Sequence, residues 1–145
     1  MIAKTFSSDG ALGKAIPGFQ ARQPQIDMAE AVSSAIKEQS QLVVEAGTGT
    51  GKTFAYLVPA LLSGKKVIIS TGSKNLQEQL YHRDLPLMVN ALGFYGQVAL
   101  LKGRSNYLCL DRLSRQMVES HTNESDPTLL TQLVKVRSWS SETKT

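Results

Sequence analysis

Ala46-Gly47-Thr48-Gly49-Thr50-Gly51-Lys52-Thr53 has the residue types and spacing of a loop that grips phosphate. Gly47, Gly49 and Gly51 permit backbone conformations closed to residues with a Cβ, so successive N–H groups can converge on phosphate oxygens. A helix starting directly behind such a loop adds roughly half a positive charge at its N-terminus. Lys52 supplies a point charge for the β- and γ-phosphates, and the Thr53 hydroxyl is placed to ligate Mg²⁺. The strict pattern opens with glycine, whereas Ala46 stands there, so the relaxed form applies. The bland alternative is a glycine-rich turn followed by a surface lysine. The flanks argue for the phosphate loop, because an apolar run (Leu42-Val43-Val44) precedes it and a helix-forming stretch, Phe54 to Leu62, follows. The chemistry implied is nucleoside triphosphate binding, with Lys52 and Thr53 as the catalytic pair.

That loop needs elements to position it. Pro24 suits the first turn of a helix running to about Glu38, with Ile26, Ala29, Val32 and Ile36 spaced for one buried face. Residues 41–45, 67–69 and 98–101 read as strands, the second apolar on both faces as a buried parallel strand would be. Ser73 can cap a helix carrying Leu76 and Leu80. Leu85-Pro86 breaks or restarts that helix, and Gly93 ends the next helical stretch. Alternating strands and helices predict an α/β fold with a parallel central sheet. Two further helices are expected at about 107–119 and 128–138, joined by a surface loop from His121 to Pro127. Residues 1–16 are polar and small and read as an arm or loop.

The chain has 145 residues, enough for one ordinary domain. At 41% hydrophobic and 19% charged it has a globular composition. No apolar run approaches a membrane span, and the N-terminus carries no secretory hydrophobic region, so the expected compartment is cytoplasmic. A single cysteine excludes an internal disulfide framework. The net charge of +4 permits nucleic-acid binding without requiring it, since a mixed-charge solvated surface accounts for it equally well.

Three further segments add to the phosphate loop. Phe19-Gln20-Ala21-Arg22-Gln23-Pro24-Gln25-Ile26-Asp27-Met28 offers Gln25, whose amide could read both N6 and N7 of adenine. Unaided, such a glutamine is more often simply solvent-exposed. Ser70-Thr71-Gly72-Ser73 offers hydroxyls and a helix N-terminus that could hold a nucleic-acid phosphate, or merely cap a helix. The third is Leu101-Lys102-Gly103-Arg104-Ser105-Asn106-Tyr107-Leu108-Cys109. In combination these segments resemble the superfamily 2 iron–sulfur DNA helicases, the XPD/DinG-like group, and within it the bacterial YoaA branch. The resemblance covers essentially the whole chain.

The resemblance implies a partial RecA-like motor domain over residues 17–105 and the start of an iron–sulfur domain over 106–145. It implies ATP and Mg²⁺ as ligands, DNA as partner and unwinding in the 5′→3′ direction. Arg22 and Gln25 would sit at the adenine, and Ala46 through Thr53 at the triphosphate. Thr71, Gly72, Ser73, Lys102 and Arg104 would lie against DNA. Cys109 would be the first of four thiolates holding a 4Fe–4S cluster, although a lone cysteine is ordinarily a small buried hydrophobe. Gln20 departs from the pattern, since many members place an acidic residue beside the aromatic. No apolar run is followed by Asp-Glu, so the acidic pair that phosphoryl transfer needs is not found. The expectation is therefore an N-terminal piece of a longer helicase, binding nucleotide weakly and not unwinding DNA by itself. The rivals are a stand-alone nucleotide- or DNA-binding module and another P-loop NTPase such as a small kinase.

Overall fold

The computed structural model describes residues 2–122 and 127–143. They form two compact units, Met1–Val98 and Ala99–Thr145. In the first, α1 (Ile2–Phe6) and α2 (Ala11–Ala15) precede α3 (Gln23–Glu38) and the phosphate-loop helix α4 (Lys52–Leu62). α5 (Lys74–Gln79) runs through a π-helical turn, Leu80–Asp84, into α6 (Leu85–Leu92). The second unit holds a 3₁₀ turn at Arg104–Asn106, then α7 (Leu110–Thr122) and α8 (Pro127–Glu142), which pack together. The surface loop expected from His121 to Pro127 falls largely outside the described residues.

The helix boundaries have local causes. Pro24 sits in the first turn of α3, where its missing N–H would be unsatisfied anyway. The helix ends where Gln39 turns left-handed (φ 56°) and Ser40 N–H reaches back to the Ala35 carbonyl at 3.0 Å. Gly93 closes α6 in the same way at φ 61°, with Phe94 N–H on the Val89 carbonyl.

Residues 2–15 are not the arm or loop that their composition suggests. Phe6 and Leu12 are fully buried, α1 packs on α3, and α2 packs on α6. Ala29, Leu57, Val58 and Met88 complete the centre of the core.

The α/β fold with a parallel sheet is overturned. Among the described residues there is no strand, and the architecture is helical. Segments 41–45, 67–69 and 98–101 run as irregular backbone without ladder partners. Their apolar side chains lie open, with Val43 98%, Ile68 89% and Leu101 82% exposed. The physical reason is that β-propensity describes fit to a pleated, half-buried surface rather than an intrinsic backbone preference. An apolar run can mark a segment that favours extension, but pairing requires a second edge.

Such exposure has a measurable consequence. Contiguous apolar runs in solvent are association sites. The isolated chain should therefore aggregate, and the double substitution Val43→Thr and Ile68→Thr should raise its soluble fraction. Because both positions are open, the melting temperature should hold, each change costing within about 0.5 kcal/mol. Light scattering and a thermal melt check both halves; undiminished aggregation of the double variant would count against these segments as its cause.

Candidate nucleotide-binding site

The phosphate loop keeps its shape through glycine. Gly49 and Gly51 both have φ of 77°, a region L-residues with a Cβ avoid, and Gly51 is the N-cap of α4. The first helical bond follows at once, from Ala55 N–H to the Gly51 carbonyl at 3.2 Å. Thr50 Oγ1 donates to the Gly47 carbonyl at 2.9 Å and ties the loop to itself. A Cβ built on Gly47 or Gly49 would meet nothing within 4 Å, so the loop faces open space there. Lys52 Nζ folds back over the loop and donates to the carbonyls of Ala46 (2.6 Å) and Gly47 (2.7 Å). The ammonium is thus held over the cradle by carbonyl dipoles. An open cradle, a helix N-terminus and a poised cation fit a triphosphate. Thr53, in the first turn of α4, is the residue that would hold Mg²⁺, which would supply charge neutralisation at the phosphates.

Arg22 and Gln25 come to this loop from the start of α3. Arg22 Nη1 donates to the Gly49 carbonyl at 3.2 Å, and Gln25 Nε2 donates to the Gly51 carbonyl at 3.0 Å. Gln25 is 5% exposed, so its amide is an internal brace. The peptide unit is planar and trans, so its C=O and the following N–H point in opposite directions. Holding the carbonyls of Gly49 and Gly51 therefore aims the N–H groups of Thr50 and Lys52 away from the brace. The described bond of Gln25 is to the loop backbone, a role its sequence position did not suggest.

Tyr56 and Asp84 were not foreseen. Tyr56 follows Thr53 by one helical turn, the spacing that brings side chains together on one face. Burial pushes its phenol pKa up, a hydrogen bond with Thr53 offsets part of that, and the charge of Asp84 adds to the rise. The one sequence signal for Tyr56 is its i, i+3 relation to Thr53. Nothing in the sequence marks Asp84 as buried.

The Ser70–Ser73 segment is organised around α5. Ser73 Oγ accepts from Leu76 N–H at 3.2 Å as the expected cap, and Thr71 Oγ1 donates to the Ser73 carbonyl at 3.3 Å. Ser73→Ala should cost about 1 kcal/mol of local helix stability. Amide exchange at Leu76 should then quicken about fivefold, and an unchanged rate would show the cap to be idle.

Lys102, Arg104 and Cys109 belong to the second unit. There the loop closes on itself, with Lys102 N–H on the Tyr107 hydroxyl (2.9 Å) and Asn106 Nδ2 on the Gly103 carbonyl (3.1 Å). Cys109 is exposed. Among the described residues no group of three or more His, Cys, Asp or Glu is arranged to hold a metal ion. An iron–sulfur cluster needs four thiolates, so one cysteine does not fit it. No helix among the described residues is long and apolar enough to cross a membrane.

Comparison with known proteins places these features in a family. The model of the DEAD/DEAH box helicase family matches residues 26–127, which include the phosphate loop and the Ser70–Ser73 segment. The ATP-dependent DNA helicase YoaA of Haemophilus influenzae is 57% identical over 144 residues, covering 99% of this chain and 22% of that protein. YoaA of Escherichia coli is 59% identical over 138 residues, covering 95% of the chain and 21% of that protein. The 3′-5′ exonuclease DinG of Bacillus subtilis is 37% identical over 142 residues, or 95% of the chain and 15% of that protein. The chain thus spans about a fifth of the length of the YoaA relatives it matches. No solved structure matches it. With its family model covering most of the sequence and its lysine poised over a braced glycine loop, the chain belongs to the DEAD/DEAH box helicases.

Proposed function

We propose that the chain is the nucleotide-gripping N-terminal portion of an ATP-dependent DNA helicase, working 5′→3′ in the cytoplasm. The observation that carries the proposal is the Lys52 ammonium held over the glycine loop, with Arg22 and Gln25 on that loop's carbonyls. In this proposal Arg22, Gln25 and the loop from Ala46 through Thr53 hold ATP, and Thr53 holds Mg²⁺. Thr71, Gly72, Ser73, Lys102 and Arg104 hold the DNA backbone. Residues 17–105 carry the nucleotide and first DNA contacts, and 106–145 begin the iron–sulfur region. High identity to proteins named ATP-dependent DNA helicases supports the activity.

The test is hydrolysis and unwinding by the full-length protein, with the 145-residue chain measured beside it. ATP turnover stimulated by single-stranded DNA, unwinding of duplexes with 5′ tails, and neither activity in the chain alone are expected. A full-length protein that binds ATP but neither hydrolyses it nor unwinds DNA would sink the proposal. The iron–sulfur element has a separate check. Cys109→Ser should lower the iron content of the full-length protein while leaving ATP affinity unchanged, and unchanged iron would remove Cys109 from any ligand set.

A further inference from the structure

Residues 2–15 have no part in the chemistry above, yet they are closely built. Ser7 N–H and Ser7 Oγ both donate to the Lys4 carbonyl, at 3.3 and 2.7 Å, and close α1. Lys14 N–H reaches the Gly10 carbonyl at 3.1 Å as the first bond of α2. A Cβ on Gly10 would overlap the Lys4 carbonyl oxygen, and one on Gly13 the Ser8 carbonyl oxygen, so the hairpin closes backbone against backbone. Its α1 packs on α3 and its α2 on α6.

A series of rings leads from this hairpin to the phosphate loop. Phe6, fully buried, meets Phe19 at 6.4 Å between ring centroids, with 41° between the planes. Phe19 meets Phe54 at 6.4 Å and 35°. Both separations lie within the range in which tilted aromatic pairs attract. Phe19 and Phe54 are each partly buried against the core that Phe6 helps to form. Their places in the chain give the contacts their consequence. Phe19 stands just before Arg22, which holds the Gly49 carbonyl, and Phe54 follows Thr53 directly in the first turn of α4. The Phe19–Phe54 contact thus fastens the approach to α3 onto the helix that opens behind the loop, and Phe6 backs that contact from the hairpin.

We infer that the α1–α2 hairpin is a positioning element for the phosphate loop, acting through Phe6, Phe19 and Phe54. The inference rests on the proposed function only in taking ATP as the ligand of the loop. The rings bear on the backbone around the loop, so loosening them should weaken the grip on nucleotide and leave the turnover of bound nucleotide unchanged. Core packing alone predicts the reverse. It would lower the fraction of folded enzyme, and with it the apparent kcat, while KM held.

The experiment uses the full-length protein with Phe19→Leu, which keeps an apolar side chain and removes both ring pairs. Phe6→Leu, which removes only the pair nearer the hairpin, is the second variant. KM and kcat of ATP hydrolysis are measured with single-stranded DNA present, together with the melting temperature. Amide exchange is followed at Ala55, whose bond to the Gly51 carbonyl opens α4, and at Ser40, bonded to the Ala35 carbonyl at the far end of α3. KM for ATP should rise about fivefold in Phe19→Leu and about threefold in Phe6→Leu, the size that losing aromatic pairs gives, with kcat within about twofold. Exchange at Ala55 should quicken in both variants while that at Ser40 holds.

An unchanged KM in both variants would overturn the inference. So would a lowered melting temperature with Ala55 and Ser40 quickened alike, which marks plain core packing. Should the unmodified protein neither bind nor hydrolyse ATP, the proposed function fails. Exchange at Ala55 against Ser40 then still decides whether the hairpin holds the loop.

Discussion

Lys52→Ala in the full-length protein is expected to lower ATP turnover by about 10²–10³-fold, with DNA affinity in the absence of nucleotide within about twofold. The size follows from what phosphoryl transfer asks of the protein. Little covalent chemistry is done by side chains, so the rate depends on positioning and on charge placed where the phosphoryl oxygens become more negative. Losing one preorganised donor of that kind corresponds to about 2.7–4 kcal/mol in the barrier. The loss should not come from unfolding. Lys52 bonds only loop carbonyls in the described structure, that of Gly47 in an exposed contact and that of Ala46 in a part-buried one. Water can replace the ammonium there at little cost. A thermal melt within a degree or two of the unmodified protein, alongside lost turnover, is the expected pair of results. Lys52→Ala with turnover intact would show that the loop is not the hydrolytic site. Lys52→Arg should not restore full activity, because a planar fork does not replace a compact ammonium above these carbonyls.

How much of this could be read beforehand depended on whether the signal was local. The phosphate loop was legible because its chemistry is written in consecutive residues. Gly49 and Gly51 adopt left-handed backbone, and the helix begins at Lys52. Helices α3 and α4 were legible because apolar periodicity and Pro24 act within one segment. Ser73 was legible as a cap for the same reason.

What failed was non-local. Leu42-Val43-Val44 and Val67-Ile68-Ile69 carry the composition of buried strands, yet pairing depends on a neighbouring edge that composition cannot name. In the structure these residues stand open instead. Ile2 to Ala15 looked like an arm because most of its residues are polar or small. Two large buried side chains, Phe6 and Leu12, nevertheless anchor it to the core. Phe6 also meets Phe19, which in turn meets Phe54 beside the phosphate loop, each at 6.4 Å between ring centroids. Gln25 was marked as a functional residue for its hydrogen-bonding capacity, but its bond to Gly51 spans 26 positions and no local pattern announces it. Asp84 was missed on the same ground, because no local pattern announces that a carboxylate in that turn is buried.

That long-range bond carries the second large effect. Gly51→Ala is expected to destabilise the nucleotide site by about 2–5 kcal/mol, from two contributions with separate origins. Alanine in left-handed backbone costs about 1–2 kcal/mol, and Gly51 has φ of 77°. The added Cβ would also overlap the Gln25 amide nitrogen, which is itself buried. Gln25 must then swing away and leave a buried amide and the Gly51 carbonyl unpaired, worth about 1–3 kcal/mol. The two contributions separate in a double-mutant cycle. Gln25→Ala alone removes the brace and frees space beside Gly51. Adding Gly51→Ala to that background should cost only the backbone strain, so the cycle should show coupling of about 1–3 kcal/mol. ATP affinity measured by titration across the four proteins gives the cycle directly. Additive losses, with no coupling, would mean that Gln25 does not press on Gly51 in solution. A selective loss of ATP against GTP in Gln25→Ala would instead assign the amide to the base. If the amide serves mainly as the brace, both nucleotides should weaken together, because a loop that no longer aims the N–H groups of Thr50 and Lys52 loses its grip on any triphosphate.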